Sequence, residues 1–158
     1  MSSRVAMLDL KSGGVGELPI VDRIMQAAFD PRFGEAWTPG QCMGMLAMPG
    51  VWLTLAFDRD AALGFALARE IAGEAELLLL ATLPPHRKRG VAGALLRGVL
   101  EDARRRGANT IHLEVRAGND AVRLYRGVGF VKVGERRHYY RGSADQLFDA
   151  HTYALDLG

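Results

Sequence analysis

Cysteine is nearly absent from this chain. Cys42 is the only one among 158 residues, which rules out an internal disulfide and any multi-cysteine metal site. A lone thiol suits a reducing compartment, and a cytoplasmic location is the expectation. Long apolar runs are also missing. No stretch approaches the ~20 residues that cross a bilayer, and the opening MSSRVAMLDL lacks the extended apolar core of a signal peptide, so no membrane partner is expected. There is no repeat, low-complexity tract or Pro/Ser-rich linker. The expectation is one domain over residues 1–158, long enough to bury a real core. Histidine is scarce, and His86, His138 and His151 show no metal-ligand spacing with one another or with acidic residues. No metal is expected.

What charge there is lies unevenly. The net value of +2 conceals 6 Lys/Arg against 10 Asp/Glu over residues 1–83, then 14 against 5 over 84–141, then none against 3 at the end. Most of the cations are Arg, whose planar fork suits phosphate and carboxylate. A basic face that is merely solvated accounts for this equally well. The basic block carries no nucleic-acid motif with interleaved aromatics, so no direct nucleic-acid site is expected.

The hydrophobic pattern turns this composition into an element order. VAMLDL reads as a first strand, and LPIVDRIMQAAF has helical spacing at Ile20, Ile24, Ala27 and Ala28. Thr38-Pro39 opens a short second helix, which Pro49-Gly50 ends. VWLTLAF and LGFALAREI form a hairpin across DRDAA. AELLLLATL is apolar throughout, as a strand covered on both faces should be. Residues 89–106 carry an apolar stripe at Val91, Leu95, Val99 and Ala103, and Gly107 stops that helix behind three arginines. TIHLEV is a strand, DAVRLYRG a short helix, and FVKVGERRHYY and DAHTYALDL close the sheet. The order predicts a mixed α/β sheet in one layer with helices on its faces.

The most informative stretch is PPHRKRGVAGALLRGVL, Pro84 to Leu100. A buried strand delivers the chain to a turn, and the next helix points its unpartnered first N–H groups back at that turn. Gly90 and Ala92 leave no bulk to keep a phosphate from those amides, while Arg87, Lys88 and Arg89 can neutralise charge at the rim. The same small residues would equally allow close packing of helix on strand. A Walker-type loop is excluded, because Ala94-Leu95 stand where Lys-Ser/Thr is required. A dinucleotide fingerprint fits poorly, with Ala92 and Leu95 at its second and third glycines.

A third pattern fits better. Arg87-Lys88-Arg89-Gly90-Val91-Ala92 has the form [Q/R]-x-x-G-x-[G/A] and is followed in order by LEVRAGNDAVRLYRGVGF, RRHYY and DAHTYALDL. This ordered set resembles the GNAT superfamily of N-acetyltransferases, and within it the bacterial ribosomal-protein-alanine acetyltransferases. The resemblance is strong from about Ala75 onward and loose before it. It implies an acyl-CoA N-acyltransferase fold, a mixed β-sheet of about seven strands flanked by about four helices and splayed between LLLLATL and TIHLEV. It implies acetyl-CoA as donor, its pyrophosphate on the amides of Lys88, Arg89, Gly90, Val91, Ala92 and Gly93. Leu80, Ala81 and Thr82 would run beside the pantetheine arm, and Asn119 matches the family's cofactor-contacting Asn. The acceptor would be the N-terminal α-amine of a peptide or protein, possibly ribosomal, and the enzyme a monomer.

The resemblance also assigns the chemistry. Glu114 matches the proton-accepting Glu of the family's LEVR, and Tyr125 matches the proton-donating Tyr of its LY. An α-amine with a pKa near ~7.7–8 needs only a modest base. Alternation puts Glu114 on one face of its strand with His112, interrupting an apolar run. Pairing with Arg116 or another Arg at the strand end is the plainer role for Glu114, and core packing the plainer role for Tyr125. Asn119 precedes Tyr125 by six residues where the subfamily has seven, a loss that Gly118 in the preceding loop can absorb. Trp37 and the methionines 43, 45 and 48 would either pack as core or line an acceptor groove facing Tyr139 and Tyr140. His112 is expected to be a satisfied sheet histidine, and Cys42 a packing residue. Two other functions share these residues: a small-molecule amine acetyltransferase, and a non-catalytic CoA-binding or ribosome-associated module.

Overall fold

The computed structural model describes residues 8–87 and 89–158. The chain runs β1 (Asp9–Gly13), α1 (Leu18–Ala28), α2 (Pro39–Leu46), β2 (Val51–Asp58), β3 (Ala61–Ile71), β4 (Glu74–Thr82), α3 (Val91–Arg105), β5 (Thr110–Arg116), α4 (Val122–Val128), β6 (Val131–Arg141) and β7 (Leu147–Asp156). This is the order read from the sequence. The first strand sits later than VAMLDL, at Asp9–Gly13, and residues 5–7 of that expectation lie outside the described part. The helix expected to start at 89 begins at Val91, because Gly90 is left-handed with φ 83 and cannot be helical itself.

The strands form one mixed sheet in the order β1-β2-β3-β4-β5-β7-β6. All neighbours are antiparallel except β4 and β5, which are linked through α3 as a parallel crossover requires. α3 and α4 bury their apolar stripes on one face, with Leu95, Leu96, Val99 and Leu100 against Leu77, Ile111 and Leu113. α1 and α2 cover the other face, with Val21, Ile24, Met25 and Cys42 against Leu53, Leu55, Phe65 and Leu67. α2 starts on the capping box that Thr38 announces. Thr38 Oγ1 accepts from the Gln41 N–H at 3.2 Å, and Gln41 Oε1 accepts from the Thr38 N–H at 2.8 Å.

Two features of β4 make room for a site. Its pairing with β3 slips by one residue between Leu67–Leu79 and Ala68–Leu77, leaving Leu78 as an extra residue. Such a bulge reverses the alternation of every side chain beyond it. Accordingly, Ala75 and Leu77 pack toward α3, whereas Leu79 and Ala81 pack toward α1. Pairing with β5 covers only Glu74–Leu77 against Thr110–Leu113. Beyond Leu77 the two strands part, and among the described residues no strand covers that edge of β4. The sheet is splayed where the sequence predicts it.

Candidate active site

The gap between β4 and β5 opens into a cleft of about 1230 Å³. One wall is β4 from Glu76 to Thr82 and the start of α3. The other is β5 from Leu113 to Arg116, the turn at Gly118–Ala121 and α4 up to Tyr125. The segment joining α1 to α2 and the tyrosines of β6 close a third side.

At one end lies the start of α3. Gly90 caps it with φ 83 and no side-chain hydrogen bond, and Ala94 closes the first helical bond, to the Gly90 carbonyl at 2.9 Å. The N–H groups of Val91, Ala92 and Gly93 therefore precede the intrahelical ladder at the positive end of the helix dipole. Gly90, Val91, Ala92 and Gly93 all line the cleft, as do Leu80, Ala81 and Thr82. The Thr82 hydroxyl is buried with no hydrogen-bond partner among the described residues, an unusual state for a polar group. Lys88 lies outside the described residues. Both described arginines of the loop are exposed, and Arg87 lines the cleft. Arg87 donates to the Ala28 carbonyl at the end of α1, and Arg89 pairs with His86 Nδ1 at 3.2 Å.

The same cleft holds titratable groups. Glu114 points from β5 into the cleft and is 11% exposed. It pairs with an arginine, though with Arg136 and not with Arg116. Its Oε1 accepts from Arg136 Nε of β6 at 2.9 Å, and its Oε2 accepts from the Thr152 hydroxyl of β7 at 2.7 Å. Tyr125, at the end of the cleft-lining part of α4, is 6% exposed, its ring edge-on to Phe130 at 5.8 Å. Burial first, and the Glu35 charge second, push its phenol pKa well above the ordinary value. The same two causes raise Tyr140, whose hydroxyl donates to the Glu114 backbone carbonyl at 3.4 Å.

Glu35 is the residue that sequence reasoning missed. It comes from the irregular segment between α1 and α2, where no periodicity marks it. Oε1 accepts from Arg116 Nε at 3.2 Å and Oε2 from Asn119 Nδ2 at 2.8 Å, with Glu35 11% and Arg116 13% exposed. Arg116 in turn lies 3.7 Å over the ring of Phe33, which meets Phe148 edge-on at 5.3 Å. Asn119 lines the cleft, yet its amide is engaged locally, donating to Glu35 and accepting from the Ala121 N–H at 2.9 Å. Gly118 before it has φ 86, a left-handed turn that glycine adopts without steric cost.

Trp37, Tyr139 and Tyr140 share the cleft, but methionines 43, 45 and 48 do not: Met43 and Met48 are exposed, and Met45 packs from α2 against the core. His112 stands beside Glu76 on the sheet, Nε2 to Oε2 at 3.7 Å, with its side chain 42% exposed. Cys42 is buried, and burial, then the Asp22 charge, push its thiol pKa up, which suits packing and not attack. Among the described residues no cluster of His, Cys, Asp and Glu could hold a metal ion, and no helix is long and apolar enough to cross a membrane.

A sheet splayed beside an uncapped helix start, with a carboxylate and a buried phenol in the gap, narrows the field to a few folds. The profile of the Acetyltransferase (GNAT) family matches residues 19–130. The chain belongs to that family. This acetyltransferase is 36% identical over 129 residues to the N-alpha-acetyltransferase RimI of Mycobacterium tuberculosis, covering 78% of each chain. It is 38% identical over 94 residues to the ribosomal protein bS18-alanine N-acetyltransferase of Escherichia coli, covering 59% of this chain and 63% of that enzyme. The match thus spans less than two thirds of the latter's length. The crystal structure of the ribosomal-protein-S18-alanine N-acetyltransferase from Escherichia coli superposes with a TM-score of 0.85 at 27% identity, covering 96% of this chain and 95% of that one. The acetyltransferase therefore has the GNAT acyltransferase fold and is an N-acetyltransferase.

Proposed function

We propose that this N-acetyltransferase takes its acetyl group from acetyl-CoA and places it directly on a protein's N-terminal α-amine, in the manner of the ribosomal-protein-alanine enzymes it resembles. The observation that carries the reading is the cleft itself. One opening between β4 and β5 is lined both by an uncapped helix start and by Glu114 and Tyr125.

The residues present fit a long thioester that carries a pyrophosphate. The amides of Gly90, Val91, Ala92 and Gly93 would hold the pyrophosphate. The open edge of β4 at Leu80, Ala81 and Thr82 would run beside the pantetheine arm, and the orphaned Thr82 hydroxyl supplies a polar group in search of a partner. When bound, acetyl-CoA supplies an activated acetyl thioester with a good leaving group. Asn119 would shape the cofactor side of the α4 turn, its amide already fixed by Glu35 and Ala121.

Glu114 is then the base. Its carboxylate takes a proton from the incoming ammonium, and Arg136 and Thr152 fix both oxygens so that little reorganisation is needed. Tyr125 is the acid. Its raised pKa keeps Oη protonated through the neutral range, which leaves the donor loaded at some loss of driving force. Trp37, Tyr139 and Tyr140 give the acceptor side an apolar, aromatic wall fit for a peptide backbone.

The test is a competition of acceptors, read by mass spectrometry. A short peptide starting with alanine should be acetylated far faster than polyamines or aminoglycosides. The opposite ranking would move the chain to the small-molecule acetyltransferases, while CoA binding without any transfer would leave only a binding module.

A further inference from the structure

The loop between β4 and α3 does more than offer amides to a phosphate. Arg87 Nη2 crosses the mouth of the cleft and donates to the carbonyl of Ala28, the last residue of α1, 59 positions earlier in the chain. The final carbonyls of a helix have no partner inside it and carry the negative end of its dipole, so a guanidinium there is well placed. After Ala28 the chain leaves the helix, with Phe29 extended at φ −104 and ψ 124. It then runs along the cleft as the wall that contributes Phe29, Asp30, Phe33, Glu35 and Trp37. The far end of this wall is tied to β5 and to the β6–β7 hairpin. Glu35 holds Arg116 and Asn119, Phe33 meets Phe148, and the Ser143 N–H donates to the Pro31 carbonyl at 3.1 Å. Arg87 ties the near end to the loop that carries the helix start.

We propose that Arg87 is a positioning residue for the acceptor, a clasp from the donor-binding loop to the Phe29–Trp37 wall, and not a ligand of the donor's phosphates. The proposal rests on the reading of the cleft given above. It makes the two half-sites depend on each other through one side chain. Removing that side chain should disturb the acceptor while leaving the donor's grip, which belongs to the backbone amides, nearly intact.

The experiment compares the unaltered protein with Arg87→Ala, using acetyl-CoA and S-acetylpantetheine, which lacks the pyrophosphate, as donors and an alanine-led peptide as acceptor. KM for the peptide should rise about fivefold with both donors, with kcat and the Kd of CoA each within twofold. In the unliganded variant, amide hydrogen exchange of residues 29–37 should quicken. A change confined to acetyl-CoA, with a raised Kd and an unchanged peptide KM, would make Arg87 a phosphate ligand and overturn the clasp. Unaltered exchange over residues 29–37 would overturn it as well. Should the unaltered protein transfer no acetyl group to any peptide, the functional reading falls, and the exchange measurement still decides the clasp.

Discussion

Glu114 and Tyr125 are buried to a similar degree but face different surroundings. The carboxylate has two donors on it, Arg136 and Thr152, whereas the phenol has an aromatic edge and a nearby negative charge. Replacing Glu114 by Gln keeps the shape and the Thr152 contact but removes the proposed base. We expect kcat/KM for the peptide to fall about 100-fold or more near neutrality, to recover partly as pH rises and the free amine accumulates, and CoA affinity to stay the same. Calorimetry beside a pH–rate profile checks all three. For Tyr125, folding raises the phenol above its ordinary pKa near ~10, so the folded chain holds that proton more tightly than the unfolded one. The stability this contributes is complete below that value and drains away as pH climbs toward the folded one. Tyr125→Phe keeps the packing on Phe130, so it should lose less stability than the parent between pH about 10 and 11 in urea melts, while kcat drops at pH 7.

At the level of elements, two junctions place the site. The first is the bulge at Leu78, which turns the second half of β4 over and leaves its edge open. The second is the contact between the Phe29–Trp37 wall and the β6–β7 hairpin, where backbones come too close for side chains. A Cβ at Gly142 would lie 1.8 Å from the Arg32 carbonyl oxygen, and one at Gly34, whose φ is 69, would lie 2.0 Å from the Arg141 oxygen. Neither obstacle is the tip of a flexible side chain, so the segments themselves must separate. Gly142→Ala should therefore raise KM for the peptide several-fold and leave the Kd of CoA unchanged, since α3 and β4 are not involved. A variant with altered CoA affinity and normal peptide KM would show that this junction does not shape the acceptor side.

For the whole molecule, the open gap in the sheet predicts that the donor stabilises the fold by filling it. CoA at about 100 times its Kd should add about 2.7 kcal/mol and raise Tm by roughly 5–10 °C, equally in the parent and in Glu114→Gln. Scanning fluorimetry reads the shift, and its absence in both would mean the cleft does not receive the donor. Much of this architecture was legible beforehand, because it is local in the chain. The 3.6 and 2 periodicities, the Thr38 cap, the Gly90 turn and the helix after it are dictated by neighbours a few residues apart. By itself the sequence determined the order of elements, the basic loop at a helix start and the presence of a carboxylate on an apolar strand. Only the tertiary structure decided who their partners are. Glu114 meets Arg136 and Thr152, 22 and 38 residues away, Glu35 meets Arg116 and Asn119 across more than 80, and Arg87 meets Ala28 across 59. Such pairings follow from the strand order and from the one-residue slip in β4, which arise from packing over the whole sheet and leave no mark on any short stretch of chain.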